Sequence, residues 1–500
     1  IGNGVGLDTP ASAVAILQML AEDGYAISNA PADGDELMRR LIDGPTNDIA
    51  ARRMRRAAAR FALDDYRRCF QGLADELQTS IALRWGAPDE DPHLRNGAFD
   101  LAILSLGNIV VGVQPARGYN IDPKSTYHDP DLPPPHHYLA FYFWLREAFR
   151  AHAFIHLGKH GNLEWLPGKA TALSSSCCPQ AILGATPNLY PFIVNDPGEG
   201  VQAKRRSAAV IIDHLTPPLT RAELHGDLAA LESLIDEYAL AIDLDPPRAE
   251  TLADDILASA RALRLDLDLG LSRDADRDES LRLIDAALCD VKEMQIRDGL
   301  HVFGRTPAPQ HLDDLISSIA RAPRQRDEPR AQSLQRALAA DLGLGEFDPL
   351  SRDLASAWTG SRPNALAEIS GSFWRTSGDA VERIEQLSLA LISGDRAADP
   401  AWAQTRAVLR WIDEELRPAL QRSADAELAA LRAGLDGRFV NPGPSGAPTR
   451  GRPDVLPTGR NFYAVDVRAA PTPAAWRIGC ATADALVARH WRDHGAWPRA

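Results

Sequence analysis

The sequence predicts an α/β chain of several domains: a mixed α/β core with a mainly helical segment inserted. Three observations carry that expectation. First, 500 residues correspond to roughly three domains, enough to bury sizeable cores, and 45% hydrophobic with 24% charged residues is ordinary for a globular chain. Second, Leu101 to Gln114 (LAILSLGNIVVGVQ) is apolar and β-branched, and Ala153 to Leu157 is an apolar approach to glycines; both read as buried strand. Third, from Thr220 to about Leu344 the apolar residues take a helical period, with Leu224, Leu228, Leu231, Ile235, Tyr238 and Ile242 three to four apart. The chain then divides into an α/β segment over 1–100, an α/β core over 101–219, a helical segment over 220–344, and an α/β segment with a Gly/Pro/Arg loop over 345–500.

In chain order, a glycine loop at Gly2-Asn3-Gly4-Val5-Gly6 feeds a helix with Thr9 as its N-cap and Pro10 at the first helical position. Val14, Ile16, Leu17, Leu20 and Ala21 form its apolar side, and Gly24 stops it. The loop lacks the full GxGxxG spacing and reads as a tight turn rather than an anion site. Asp33 to Arg60 reads as helix and a basic, exposed connector. The strand run, one strand or a pair, ends in Gln114-Pro115-Ala116-Arg117-Gly118-Tyr119, and a proline-dense loop follows from Asp129 to His137. The aromatic helix from about Tyr138 to Ala151 reads as core packing. Cys177 and Cys178 also read as packing, because neighbouring side chains point apart.

Asn188 to Gly200 reads as a strand ending in an Asn-Asp-Pro-Gly turn, with a helix starting near Glu199. The run Lys204-Arg205-Arg206 reads as that helix's solvated face. Composition changes at Thr216-Pro217-Pro218, after which Thr220 and Glu223 form a capping box. Further helices start near Thr251 and Glu279, and Arg321 to Arg330 is a charged, proline-broken loop. Helices over Ala380–Ile392, Trp402–Gln421 and Ala424–Leu435 precede an irregular stretch from Gly443 to Tyr463, too rich in Gly and Pro for a helix or central strand. A loop of that length inside a compact domain is usually functional.

Several function classes are disfavoured. A net charge of −14, from 68 acidic against 54 basic residues, argues against a nucleic-acid binder. Five cysteines without a CxxC indicate neither a disulfide scaffold nor a structural zinc site, and fit a reducing cytoplasm. No run approaches a membrane span and no signal peptide precedes the first strand. The chain opens on Ile1 without a Met, inside what reads as a structured element, as a fragment would. No GxxxxGK[ST] occurs, since Leu166-Pro167-Gly168-Lys169-Ala170 lacks the first glycine and the hydroxyl residue; ATP is therefore not bound through a P-loop.

The chemistry concentrates in Phe154 to Lys169, FIHLGKHGNLEWLPGK. His156 and His160 stand four apart, with Glu164 four further on, but Gly158, Gly161, Pro167 and Gly168 argue for a loop rather than a helix face. A loop leaving the carboxyl end of a strand in an α/β sheet is where ligands collect. Two neutral imidazoles and a carboxylate suit a borderline divalent ion such as zinc, cobalt or nickel, and they suit general-base work. The same residues also read as hydrogen-bonding loop residues. Arg450, Arg452 and Arg460 on the C-terminal loop can make planar, bidentate contacts to carboxylates. His301, in Gly299 to Gly304, reads as a satisfied core or loop histidine.

Together these motifs resemble the large subunits of cobaltochelatases (CobN type) and their relatives, the magnesium chelatase H subunits. The residues carrying the resemblance are GNGVGLDTPAS at 2–12, QPARGY at 114–119, YHDPDLPPPHHYL at 127–139, the histidine loop at 156–169, YPFIVNDPGEGVQAKRR at 190–206, and segments 299–304 and 442–466. They span nearly the whole chain in family order. Members are much longer, so the resemblance implies a central to C-terminal piece. Trp165 and Asn461 to Asp466 favour the cobalt branch, whereas Lys159 and the Cys177-Cys178 pair are unusual for it.

The resemblance implies insertion of Co2+ into hydrogenobyrinic acid a,c-diamide in cobalamin biosynthesis. It also implies ATP hydrolysis by separate AAA+ subunits of a cytoplasmic complex. In that reading His156 and His160, with Glu164, hold or hand over the ion, and Glu164 takes the pyrrolic protons. Arg117, Lys169, Arg452 and Arg460 bind the ring's carboxylates, with Glu199 and His301 as further candidates. The alternatives are a magnesium chelatase H-type subunit acting on protoporphyrin and a non-catalytic tetrapyrrole-binding protein. A zinc hydrolase is disfavoured by the lack of an HExxH.

Overall fold

Asp8, not Thr9, caps the first helix. The computed structural model describes residues 6–48, 55–118, 129, 131–158, 161–217, 246–271, 300–323, 333–350, 358–370, 374, 377–464 and 473–497, with scattered positions across 230–238 and 276–284. In it, α1 (Thr9–Glu22) follows Asp8, whose carboxylate accepts the Ala11 amide at 2.9 Å. A carboxylate also complements the helix dipole, so aspartate takes the cap ahead of the threonine beside it. Val14, Ile16, Leu17 and Leu20 are buried, while Ala21 is exposed. Residues Gly2 to Val5 of the glycine loop lie outside the described residues. α2 (Gly34–Asp43) is capped by Asp33, and positions 49–54 of the connector are likewise outside.

β1 (Ala59–Ala62) leads into α3 (Leu63–Gln71) and α4 (Asp75–Trp85). β2 (Leu94–Arg95) and β3 (Ala98–Leu101) then complete an antiparallel sheet of order β1-β3-β2. The apolar run is a strand pair: β4 (Ile103–Ser105) returns antiparallel as β5 (Val110–Gly112). Gly107 makes the turn with φ +86°, pressed against the Ala26 carbonyl where no side chain fits. α5 (His136–Phe143) starts two residues earlier than expected and continues through a π turn to Ala148. All of its residues are buried, in a core with Tyr66, Phe99, Phe154 and Leu166.

The sheet that positions the site is parallel, in the order β6 (Phe154–Ile155), β7 (Asn188–Ile193), β8 (Val210–His214). α6 (Cys178–Leu183) precedes β7, and α7 (Pro197–Arg206) connects β7 to β8. All six residues of β7 are buried, as a parallel strand covered on both faces should be. Thr220, Glu223, Leu224, Leu228 and Ile242 lie outside the described residues. The helix expected near Thr251 is α8 (Pro246–Ala262), which shares a core with Leu231, Leu281 and Ile284.

α9 (Pro309–Arg321), α10 (Leu334–Asp341), α11 (Ser377–Ser393) and α12 (Ala403–Trp411) build one helical core around Leu315, Leu338, Ile384, Leu387 and Val408. That core continues across position 344. α12 passes through a π turn at Ile412–Leu416 into α13 (Arg417–Leu435), so the break expected between Gln421 and Ala424 is not there. The Gly/Pro stretch contains two short strands, β9 (Pro442–Pro444) and β10 (Asn461–Tyr463), paired in parallel. The segment entering β10 lies along the free edge of β8: the Gly459 amide donates to the Asp213 carbonyl at 2.8 Å, and the Asp213 amide to the Arg460 carbonyl at 3.0 Å. α14 (Pro473–His494) buries none of its residues. Among the described residues no helix is long and apolar enough to cross a membrane.

A buried polar knot joins these parts. Glu427 of α13 accepts the Leu215 amide (3.1 Å) and the Thr458 hydroxyl (2.7 Å) on Oε1. Its Oε2 accepts the Gly304 amide (2.8 Å) and faces His301 Nε2 at 3.0 Å. Burial opposes the charge, but His301 and these donors hold the carboxyl below its ordinary range. His214 stacks on His301 at 5.4 Å, and burial, helped by His301, pushes its pKa down to about 4. Burial pushes Asp213 up to about 8, against the Arg460 amide bonded to Oδ1 at 2.7 Å.

These shifts give opposite slopes. Asp213 holds its proton more tightly in the fold, so its contribution is full below about pH 4 and lost as pH rises toward about 8. His214 contributes fully above pH 6.5 and loses its contribution on acidification toward pH 4. The two oppose each other between those values, and only the Asp213 slope remains above pH 6.5. Unfolding free energy measured in urea is therefore expected to fall by about 2 kcal/mol between pH 6.5 and 8. Asp213→Asn is expected to flatten that fall, and an unchanged slope in the variant would assign it to another group.

Candidate functional site

His156 directly follows β6 and is still in sheet register, its amide donating to the Leu189 carbonyl at 2.9 Å. Its ring is engaged at both nitrogens: Nδ1 lies 2.7 Å from Asn188 Oδ1, and Nε2 lies 3.0 Å from the Tyr142 hydroxyl. Asn188 donates through Nδ2 to the Ser207 carbonyl and hydroxyl, which turns its oxygen toward the ring. Nδ1 therefore carries the proton and Nε2 accepts from Tyr142. Burial lowers the pKa of His156, opposed by the Asn188 bond, so the ring is a neutral imidazole. For His156 to ligate an ion through Nε2, Tyr142 must first release it.

The polar chain continues into neighbouring motifs. Gln114 Nε2 donates to the Tyr142 hydroxyl at 2.8 Å, and Gln114 Oε1 accepts the Asn162 amide at 3.3 Å. Asn162 receives the Tyr138 hydroxyl at 2.6 Å and donates to the Pro115 carbonyl at 3.1 Å. The end of the β-branched run is thus tied to the histidine loop through two tyrosines of α5. These hydroxyls add to the packing role expected of the aromatic helix. Burial raises the pKa of Tyr138 and Tyr142, and both stay protonated.

Glu164 sits on a 3-10 turn, Leu163–Trp165, and is 3% exposed. Its Oε1 lies 3.5 Å from the Tyr190 hydroxyl, which also accepts the Gly161 amide at 2.8 Å. Arg206 holds the turn from below, donating to the Glu164 carbonyl at 2.9 Å and the Leu166 carbonyl at 2.6 Å. Lys204 donates to Asn461 Oδ1 at 2.7 Å and the Phe462 carbonyl at 2.8 Å. The expectation of a solvated cationic face is therefore corrected, since only Arg205 of the three is exposed. The physical reason is that α7 lies between two irregular segments whose carbonyls need donors. Arg206→Met is expected to cost about 2–4 kcal/mol in urea unfolding, from two charge-assisted bonds lost to buried carbonyls. Parental stability would mean that the turn finds other donors.

The remaining candidates are dispersed. Lys159 and His160 lie outside the described residues. Arg117 is buried and donates to the Asp129 carbonyl at 2.7 Å. Lys169 is exposed, and its amide donates to Cys177 Sγ at 3.3 Å. Cys177 and Cys178 are both buried, as the packing reading expected. Glu199 is in the first turn of α7, and His301 is in the Glu427 knot. Arg452 pairs with Asp454 at 2.8 and 2.9 Å, Arg460 Nη2 lies 3.4 Å from the Leu456 carbonyl, and Arg450 is exposed. Among the described residues no three His, Cys, Asp or Glu side chains gather closely enough to hold an ion. Sequence reasoning missed Gln114, Tyr142, Asn188 and Tyr190 as site residues. The only signal was their place inside or beside the quoted motifs.

A parallel sheet whose first strand opens into a polar, glycine-rich loop is the ligand-binding arrangement of an α/β core. The chain belongs to the CobN/magnesium chelatase family, whose model, described as CobN/Magnesium Chelatase, matches residues 1–500. It is 54% identical over 515 residues to the aerobic cobaltochelatase subunit CobN of Sinorhizobium sp, covering 100% of this chain and 40% of that protein. It is 30% identical over 531 residues to the chloroplastic magnesium-chelatase subunit ChlH of Oryza sativa subsp. indica, covering 99% of this chain and 37% of that one. The catalytic subunit of cobaltochelatase from Mycobacterium tuberculosis matches in structure, with TM-score 0.65 and 40% identity, over 100% of this chain and 41% of that chain. The chain thus spans about two fifths of the length of these relatives.

Proposed function

We propose that the protein is the large, tetrapyrrole-binding subunit of an ATP-dependent cobaltochelatase, inserting Co2+ into hydrogenobyrinic acid a,c-diamide in cobalamin biosynthesis in the cytoplasm. The observation that carries this reading is the identity gap, 54% to a cobaltochelatase subunit against 30% to a magnesium chelatase subunit across the same chain. ATP is hydrolysed by separate AAA+ subunits of the complex.

Metallating a tetrapyrrole requires holding a divalent ion, removing the inner N–H protons (one from a corrin, two from a porphyrin) and orienting a polyanionic ring. Glu164, a buried carboxylate beyond the end of β6, is the base for those protons. His156 and His160 hand over the ion together with Glu164, because neutral imidazole is a good ligand for Co2+; for His156 this step begins with release of Nε2 by Tyr142. Arg117, Lys169, Arg452 and Arg460 bind the ring's carboxylates, with Glu199 and His301 in supporting roles. Arg452 is prepared for this by its existing two-point pairing with Asp454, which a ring carboxylate replaces.

The test is an absorbance titration of the full-length protein with metal-free hydrogenobyrinic acid a,c-diamide and with protoporphyrin. Tight corrinoid binding without porphyrin binding supports the proposal. Porphyrin preference moves the protein to the magnesium branch, and binding of neither overturns the tetrapyrrole reading.

A further inference from the structure

We infer that Tyr190 is a positioning residue for metallation, its hydroxyl fixing the Glu164 carboxylate relative to the end of the parallel sheet. The inference rests on the reading of Glu164 as the base.

Tyr190 is 1% exposed and sits in the middle strand of the sheet, where every residue is buried. Its ring is fixed by Phe192, edge-on at 5.0 Å, and stands 6.0 Å from the His156 ring. The hydroxyl reaches three groups of the loop. It accepts the Gly161 amide at 2.8 Å, lies 3.3 Å from the Gly158 carbonyl, and lies 3.5 Å from Glu164 Oε1. A phenol has one proton to give, so Gly158 and Glu164 compete for it. The anchoring bond is the accepted one from Gly161; the donated one can pass to Glu164 when its charge demands a donor.

Gly161 shows how closely these groups approach. A Cβ there would lie 2.6 Å from the Tyr190 hydroxyl oxygen and 2.9 Å from both Glu164 oxygens. Glycine is needed here for space, because all three of those contacts are shorter than a real Cβ makes. Two substitutions therefore attack the same contact from different sides. Tyr190→Phe removes the hydroxyl and keeps the ring. Gly161→Ala keeps the hydroxyl and presses a methyl against both it and the carboxylate.

The experiment uses the full-length protein with the partner subunits that turnover requires, and reads kcat, KM for the ring and ring affinity separately. Tyr190→Phe is expected to lower kcat on the order of 100-fold, the effect of a base displaced by about an ångström, with KM and ring affinity at parental values. Gly161→Ala is expected to cause a comparable loss. Parental turnover in Tyr190→Phe, or an equal loss of ring affinity, would each overturn the inference.

Hydrogen exchange separates this outcome from failure of the base reading. The Gly161 amide is expected to exchange faster in Tyr190→Phe and at the parental rate in Glu164→Gln. Retained turnover in Glu164→Gln removes the base reading and the inference built on it. Unchanged Gly161 exchange in Tyr190→Phe overturns the positioning role while leaving the base reading standing.

Discussion

Glu164→Gln is expected to lower metallation by about 10²–10⁴-fold, the range of general-base catalysis, while ring affinity remains parental. Glutamine keeps the shape of the side chain but cannot take a proton. The 3-10 turn should survive, because its main chain is held independently of the carboxylate. Arg206 binds the Glu164 and Leu166 carbonyls, and the Trp165 and Leu166 amides donate to the Asn162 and Leu163 carbonyls. Absorbance change on metal entry, followed beside a ring titration, measures both quantities. Retained turnover removes Glu164 as the base, and loss of ring affinity makes it a binding residue instead.

Glu427→Ala is expected to destabilise the fold by about 3–5 kcal/mol, the cost of leaving several buried donors without their carboxylate. Four donors converge on this carboxylate, from Leu215, Gly304, His301 and Thr458, and the residue is 0% exposed. Alanine leaves the Leu215 and Gly304 amides without their acceptor inside the protein, and each buried unsatisfied group adds to the loss. Glu427→Gln is expected to be milder but still destabilising, since its amide must point a donor at one pair of donors. Denaturant unfolding measures both variants; a loss under about 1 kcal/mol for alanine, the scale of a single ordinary hydrogen bond, would contradict the knot.

The sequence is most informative where the signal is short-range. Glycines and Pro167 expose the loop after β6, the β-branched run exposes the β4–β5 pair, and the Asn-Asp-Pro-Gly turn places the start of α7 within two residues. It is least informative where a side chain's partner comes from far along the chain. Arg206 looks solvated beside Lys204 and Arg205, yet its acceptors come from residues 40 and 42 positions earlier. Tyr138 and Tyr142 present aromatic rings to any periodicity argument, while their hydroxyls answer to Gln114, His156 and Asn162. Glu427 stands among the alanines, leucines and arginines of what reads as an ordinary surface helix, and only the return of residues 215, 301, 304 and 458 makes it central. His301 reads as a satisfied core or loop histidine, and Glu427 is the partner that satisfies it.

The closure of the β8 edge by the segment entering β10 sets the timetable of biosynthesis. Asp213 waits for Arg460, 247 residues later, and Leu215 waits for Glu427, 212 residues later. At ribosomal rates of about 5–20 residues per second, the first interval lasts roughly 10–50 s. For that time a nascent chain presents a parallel sheet with an unpaired edge, a template for pairing with other chains. The polypeptide emerging from the ribosome therefore needs shelter at β8 until Gly459 and Arg460 have been made, and premature termination before residue 459 leaves that edge permanently uncovered.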